Sequence, residues 1–251
     1  MSYSSSKVPE PGAGARRRRP RKGEQLALPR TGGRGGRRSG AGRKPTAGKR
    51  SNVAHAKRPV HKGRHPVHVT LRGRSGLPSF RQQLIHMLIA AIIRKQRSRS
   101  YAADFRILHF SIQRNHLHLI VEADTERAAG RYSPLRAGIS GLEISFARRL
   151  NALLGQSGPV WADRYHRHDL RTPRESWNGH AYLFHNHRHH GTDDTADSPL
   201  DPHASGWMFD GWDGPTPALD EDERWMWPVC AARSWLASRG VLVHGPVPLR
   251  P

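Results

Sequence analysis

Strict alternation of apolar and polar residues first appears at His65-Pro66-Val67-His68-Val69-Thr70-Leu71-Arg72. A period of two sends successive side chains to opposite faces, so this stretch predicts a strand. Gly73 to Pro78 reads as a turn, and Ser79 as the cap of a helix from about Phe80 to Gln96. Leu84, Met87, Leu88, Ala91 and Ile92 recur there at helical spacing and mark its expected buried face. Phe105 to Ile112 then predicts a second strand, Gln113-Arg114-Asn115 a tight turn, and His116 to Glu122 the antiparallel partner.

The period returns to that of a helix from Leu135 to Leu154, with Leu142, Ile144, Ser145, Phe146 and Leu150 as its buried side and Gly155 as a C-terminal cap. Val160 to His168 predicts another strand. Thr172-Pro173 followed by Glu175 is a capping-box signature, and the helix it opens runs to about His189 and stops near Gly191. The order β-α-β-β-α-β-α predicts an α+β fold, an antiparallel sheet with helices on one face.

Outside this patterned region the chain changes character. Residues 1–64 hold about 19 of the basic residues and about two of the acidic ones. Such a segment has too little apolar surface to offset the entropy of ordering, so it is expected to be a disordered, polycationic tail. The whole chain carries a formal charge of +22, which favours nucleic acid as a partner through counterion release. Residues 192–251 are rich in Pro and Gly and hold five of the seven tryptophans. They are expected to form an appendage on the main domain, residues 65–191, with the indoles as small-core packing in preference to the alternative, base stacking. A short helix is expected from about Val229 to Ser238.

No stretch of about 18 apolar residues is present, so no membrane partner is expected. The run Arg16-Arg17-Arg18-Arg19 is not followed by an apolar signal-peptide core. A single cysteine, Cys230, excludes an intramolecular disulfide and a cysteine-based zinc finger, and a cytoplasmic setting is expected.

The candidate chemistry lies on the third strand and the last helix. On a strand, His116 and His118 face one way while Leu117 and Leu119 face the other, so two imidazoles stand side by side as half of a divalent metal site. Tyr182 and Asn186 are four apart and share one helix face, with His185 and His189 close to it. A helix laid across the strand would bring an amide oxygen and a phenol to the imidazoles. A phenol is a poor nucleophile while protonated, its unperturbed pKa being about 10. A nearby cation favours the phenolate and polarises a phosphoryl oxygen. Attack on a phosphodiester would then give a phosphotyrosine and a free hydroxyl, with the bond energy conserved for rejoining. The plain alternative is that the 17 histidines include packed and surface residues, and that the His-rich stretch from His185 to His190 is an adventitious metal-binding surface. Arg72, Arg164 and Arg167 are the candidate phosphate contacts.

These residues resemble the HUH single-tyrosine transposases, and within them the REP-associated tyrosine transposases. Asn115-His116-Leu117-His118-Leu119-Ile120-Val121 is similar to the family's Asn-His-x-His followed by apolar residues. His68 to Arg72 resembles its opening strand, Val160 to Tyr165 its Trp-containing strand, and Tyr182 to Gly191 its nucleophile motif. The resemblance spans about half the chain. It implies a ferredoxin-like fold, Tyr182 as nucleophile, and His116, His118 and Asn186 holding Mg²⁺ or Mn²⁺. The implied substrate is single-stranded DNA, often beside a hairpin, cleaved to a 5′-phosphotyrosine and a 3′-hydroxyl. The sequence departs from the family where Gln113-Arg114 replaces Met-Pro and Asn186-His187 replaces Asn-Pro. Three readings stay open: a DNA nicking and joining enzyme, an inactive or domesticated basic DNA-binding protein of the same fold, and a phosphohydrolase in which water attacks. Monomer and homodimer are equally compatible with the sequence, as are cis and trans placements of Tyr182.

Overall fold

In the computed structural model, the described residues are 58–99, 103–125, 132–189, 199–216 and 229–249. Most of the expected basic tail, residues 1–57, lies outside them. Four strands, β1 (Val67–Arg72), β2 (Phe105–Ile112), β3 (His116–Ala123) and β4 (His166–Asp169), form one antiparallel sheet in the order β2-β3-β1-β4. Helices α1 (Gln83–Gln96) and α2 (Pro134–Leu153) are the crossovers, and α3 (Pro173–His189) follows β4. The periodicity predicts this α+β antiparallel sheet, and the β-α-β-β-α-β order with this strand arrangement is the ferredoxin-like fold that the resemblance implies.

The expectation of helices on one face holds for α1 and α2 and is corrected for α3. Val67, Val69 and Leu71 of β1 and Leu117, Leu119 and Val121 of β3 bury one sheet face against Ile85, Ile89 and Ile93 of α1 and Ile139, Leu142 and Phe146 of α2. The opposite face carries Leu108 and Ile120 and is covered by Leu183 and Phe184 of α3. Both faces are therefore buried, and every residue of β2 is buried. A bulge between Ile107 and His109 re-phases that strand. Phe105 and Ile107 before it and Phe110 and Ile112 after it thus enter the same core despite their broken alternation.

Several local expectations change in detail. The buried face of α1 is Ile85, Ile89, Ile92, Ile93 and Gln96, while Leu84 and Met87 are exposed. The helix is apolar on more than one side, so spacing alone does not choose between faces. Ile144 of α2 is likewise exposed, and Leu135, Gly138 and Ile139 take its place in the core. Ser79 does not cap α1. Its hydroxyl accepts from the Arg81 N–H, and the helix starts later, at Gln83. The strand expected from Val160 shortens to β4, with Trp161 making an isolated bridge to Gly73. The capping box of α3 forms as expected. The Thr172 hydroxyl accepts from Glu175 N–H at 3.1 Å, and the Glu175 carboxylate accepts from Thr172 N–H at 3.1 Å.

Residues at both ends complete the domain. His61 is fully buried and hydrogen-bonds to the Ala123 carbonyl, and Arg58 donates to the Tyr165 carbonyl, so residues 58–64 dock on the domain instead of belonging to a free tail. Phe209, Ala237, Val241 and Val247 join Leu183 and Phe184 in the second core. Trp212 packs there too, its indole N–H donating to Gly206 O at 2.9 Å. The expected helix near Val229 to Ser238 reduces to one turn, Trp235–Ser238.

Candidate active site on the polar face of the sheet

The face beneath α3 gathers the imidazoles. Register places Thr70 opposite His118 and His166, His68 opposite His168 and Ile120, and Arg72 opposite His116. Directly opposed residues share a face, so His68, Thr70, Arg72, His116, His118, His166 and His168 stand on one surface. The alternation that buries Val67, Val69, Leu117 and Leu119 is the same alternation that delivers these polar groups to the other side.

Helix α3 crosses this surface. The Tyr182 ring lies 5.5 Å from the His118 ring and 5.7 Å from the His68 ring, edge-on to both. Tyr182 remains 44% exposed, so a large substrate can reach it. The three rings line a cavity of about 440 Å³ together with Thr70, His166, His168 and the first turns of α3. Gly179 faces the Leu170 side chain, where an added Cβ would come within 3.1 Å. A larger residue would push α3 away from the segment after β4.

His118 is held from one side. Its Nδ1 is 3.1 Å from His68 Nε2 and 3.2 Å from Thr70 Oγ1. Burial, assisted by His168, His166 and His180, lowers the His68 imidazole to about 4. His68 is therefore neutral at pH 7 and can accept the Nδ1–H of His118. His116 is oriented in the same manner, with Nδ1 2.9 Å from Asn115 Oδ1. The two rings stand 4.7 Å apart and nearly perpendicular. Engagement at Nδ1 makes Nε2 the nitrogen each histidine would offer a metal, the arrangement by which outer groups fix ligand tautomers.

Asn186 is fully buried one turn beyond Tyr182, and neither atom of its amide makes a hydrogen bond. A buried amide without a partner costs about 1 to 3 kcal/mol, so it calls for a ligand or a water. Gln113 presents a second such case. It is fully buried, its Nε2 donates to Ser111 Oγ at 2.8 Å, and its Oε1 has no partner. Its backbone N–H donates to the His116 carbonyl at 2.9 Å. Among the described residues no group of three or more His, Cys, Asp or Glu side chains is arranged to hold a metal. A third protein donor beside His116 and His118 would have to come from outside that set, and the buried Asn186 amide, which makes no hydrogen bond, is a candidate for it.

The other candidates fall in different places. Arg72 is exposed beside His116 on the site face. Arg167 points to the opposite face of β4 and pairs with Asp169 through two bonds of 2.9 and 3.0 Å, so nothing brings it to the site. Arg164 precedes β4, and its backbone N–H is bonded to Asp163. His185 bonds to Pro248 O and His187 to Phe184 O, which makes both structural. His68, Thr70, His166 and His168 lie outside the sequence motif, yet register places them on the site face. The available signals were the His-x-Thr alternation of the first strand and a second His-x-His at His166-Arg167-His168.

No protein-family model matches the chain, and no curated protein matches it. Among solved structures, the chain is similar to a protein described as a REP-associated tyrosine transposase bound to a REP hairpin. The similarity has 19% sequence identity and a TM-score of 0.42, and covers 55% of this chain and 75% of that one.

Proposed function

We propose that the protein is a metal-dependent, transposase-like enzyme that cleaves and rejoins single-stranded DNA through Tyr182. The observation that carries this reading is the crossing of α3 over β3, which sets an accessible phenol against the paired imidazoles of His68 and His118. Tyr182 Oη would attack the phosphorus of a phosphodiester. The new bond joins the phenolic oxygen to phosphorus, the bond to the 3′ oxygen breaks, and that oxygen takes up a proton to become a hydroxyl. The phenolic proton passes to solvent. Reversal, with a 3′-hydroxyl attacking the phosphotyrosine, restores a phosphodiester without ATP.

His116, His118 and Asn186 are the residues that would hold Mg²⁺ or Mn²⁺, whose charge would polarise the phosphoryl oxygen and favour the phenolate. His68 and Thr70 position His118. Arg72 stands beside His116 as a contact for the scissile strand. Proximity of nucleophile and phosphate supplies much of the rate in such reactions, so the fixed angle of α3 matters as much as the identity of its side chains.

A second reading is a basic DNA-binding protein of the same fold without catalysis. It draws on the lack, among the described residues, of a three-membered His, Cys, Asp or Glu group for a metal. Incubation with labelled single-stranded oligonucleotides and Mn²⁺, followed by a denaturing gel, separates the readings. The proposed enzyme forms a covalent adduct in the wild type and none in Tyr182→Phe, with binding retained. An adduct-free wild type would overturn it in favour of the second reading, and cleavage that survives Tyr182→Phe would assign the attack to water.

A further inference from the structure

A second cavity, of about 630 Å³, opens at the N-terminal end of α3. Leu170 lines the tyrosine cavity, and the next residue, Arg171, lines this one. Pro173, also on its wall, is nine residues from Tyr182, about 14 Å along the helix axis. Arg64, Arg171 and Arg233 are exposed on its wall, and Asp124 is the acidic side chain there. Arg106 also reaches it but is committed to Glu122 and to the Ala103 carbonyl. The Trp235 indole forms one side and is 56% exposed, with its inner edge against Gly240.

The cavity is a built feature. Glu122, 1% exposed on the site face of β3, accepts the backbone N–H groups of Arg233 at 3.0 Å and of Ser234 at 2.7 Å. Ser234 in turn caps the turn that carries Trp235. One carboxylate thus fixes both the arginine and the indole, and the Arg106 ion pair holds that carboxylate in place. The helix N-terminus is not the attraction here, because Glu175 already occupies the N–H groups of Arg171 and Thr172. The guanidinium groups and the supported aromatic plate remain. Together these are what a single strand needs: cations for phosphates and a plane on which a base can stack.

We propose that this cavity binds single-stranded DNA flanking the scissile phosphate, with Arg171, Arg233 and Arg64 on phosphates and a base stacked on Trp235. The proposal deepens the reading of Tyr182 as acting on single strands and rests on it. Its position, one residue along the chain from the tyrosine cavity, makes it the place where a strand leaving Tyr182 would next be gripped.

The test uses the full chain in a Tyr182→Phe background, without metal, so that binding is read apart from cleavage. Oligothymidylate is titrated over a salt series while anisotropy and tryptophan quenching are recorded. Arg171→Ala with Arg233→Ala should flatten the logarithmic salt slope by about 1.4, two contacts at about 0.7 each. The charge-matched control Arg148→Ala with Arg149→Ala, on α2, should leave the slope near wild type. Trp235→Ala should weaken binding roughly 5- to 150-fold, the loss of one stacked base, whereas Trp235→Phe should keep most of the affinity. Wild-type slope and affinity in the arginine and Trp235→Ala variants would overturn the proposal, as would equal loss in the α2 control. If the wild-type enzyme forms no adduct while these variants still lose binding, the catalytic reading fails and the cavity stands.

Discussion

Asp201 ties the segment after α3 back to the sheet, and its removal has a calculable cost. Its carboxylate is fully buried and takes two hydrogen bonds from the Arg81 guanidinium, at 2.9 and 3.0 Å, with the Arg81 side chain 6% exposed. It also accepts the His203 N–H at 3.0 Å. The Arg81 guanidinium reaches further, to the Ile112 carbonyl at 3.1 Å, and the Ile112 N–H donates to His203 O at 2.8 Å. Asp201→Ala strands a buried guanidinium, which costs about 3 to 5 kcal/mol. At a urea dependence of about 2 kcal/mol per molar, the unfolding midpoint should fall by about 2 M. The paired change Arg81→Met with Asp201→Leu removes both charges and should recover most of the loss. Because Ile112 is the last residue before the turn to His116, Asp201→Ala should also lower adduct yield, and the paired variant should restore it. A midpoint shift below about 0.5 M, or a double variant no better than the single, would refute the reasoning.

Asn186→Leu removes an amide that is buried without protein partners, so thermal unfolding should show a gain of about 1 to 3 kcal/mol while adduct formation is lost; a drop in stability would mean that the amide is structural. Gly138→Ala should destabilise by about 1 to 3 kcal/mol in urea, because an added Cβ would come within 2.2 Å of the Phe105 ring, and that overlap outweighs the usual helical preference for alanine. Burial raises the Glu143 carboxyl to about 7 against the opposing pull of Arg58, so its contribution is whole below pH 4.5 and lost as pH rises through 7; Glu143→Gln should gain on the order of 1 to 2 kcal/mol at pH 8 after screening, and nothing at pH 4. Burial raises the Asp201 carboxyl, but the hydrogen bonds from His203 and Arg81 win and hold it at about 2, so its stabilisation is present above pH 3.8 and lost as pH falls through 2; an acid titration of wild type against Asp201→Ala should converge there.

The elements most legible in the sequence were those with local determinants. The α3 boundary was readable because Thr172, Pro173 and Glu175 specify a capping box that needs no tertiary help. The hairpin was readable because the Gln113-Arg114-Asn115 turn separates two strands of matching length. The buried side of α1 was not, since isoleucines and leucines surround it and only contact with α2 and the sheet selects among them. The bulge at Leu108 was equally hidden, because it exists through pairing with β3. His68 escaped notice for a related reason. Its companionship with His118 is a cross-strand relation, set by register between residues 50 apart.

Register is also where the candidate site is most exposed to damage. A slip of one residue between β1 and β3 would turn either His68 and Thr70 or His118 into the apolar core and send Val69 or Leu117 to the site face. The chain pins this register at the hairpin end. Gly73 N–H donates to Asn115 O at 2.9 Å, so the end of β1 holds the residue that precedes His116. A Cβ on Gly73 would come within 2.6 Å of the Phe80 ring and 3.4 Å of that same Asn115 carbonyl. Gly73→Ala must therefore displace either Phe80, which packs on Phe146 and Trp161, or the turn that carries His116. Asn115 Oδ1 orients the His116 ring, so movement of the turn misdirects the imidazole even if the sheet survives. The position of the His116 imidazole thus rests on an absent side chain in the neighbouring strand, and Gly73 should tolerate substitution far less well than its surroundings on the exposed rim of the sheet.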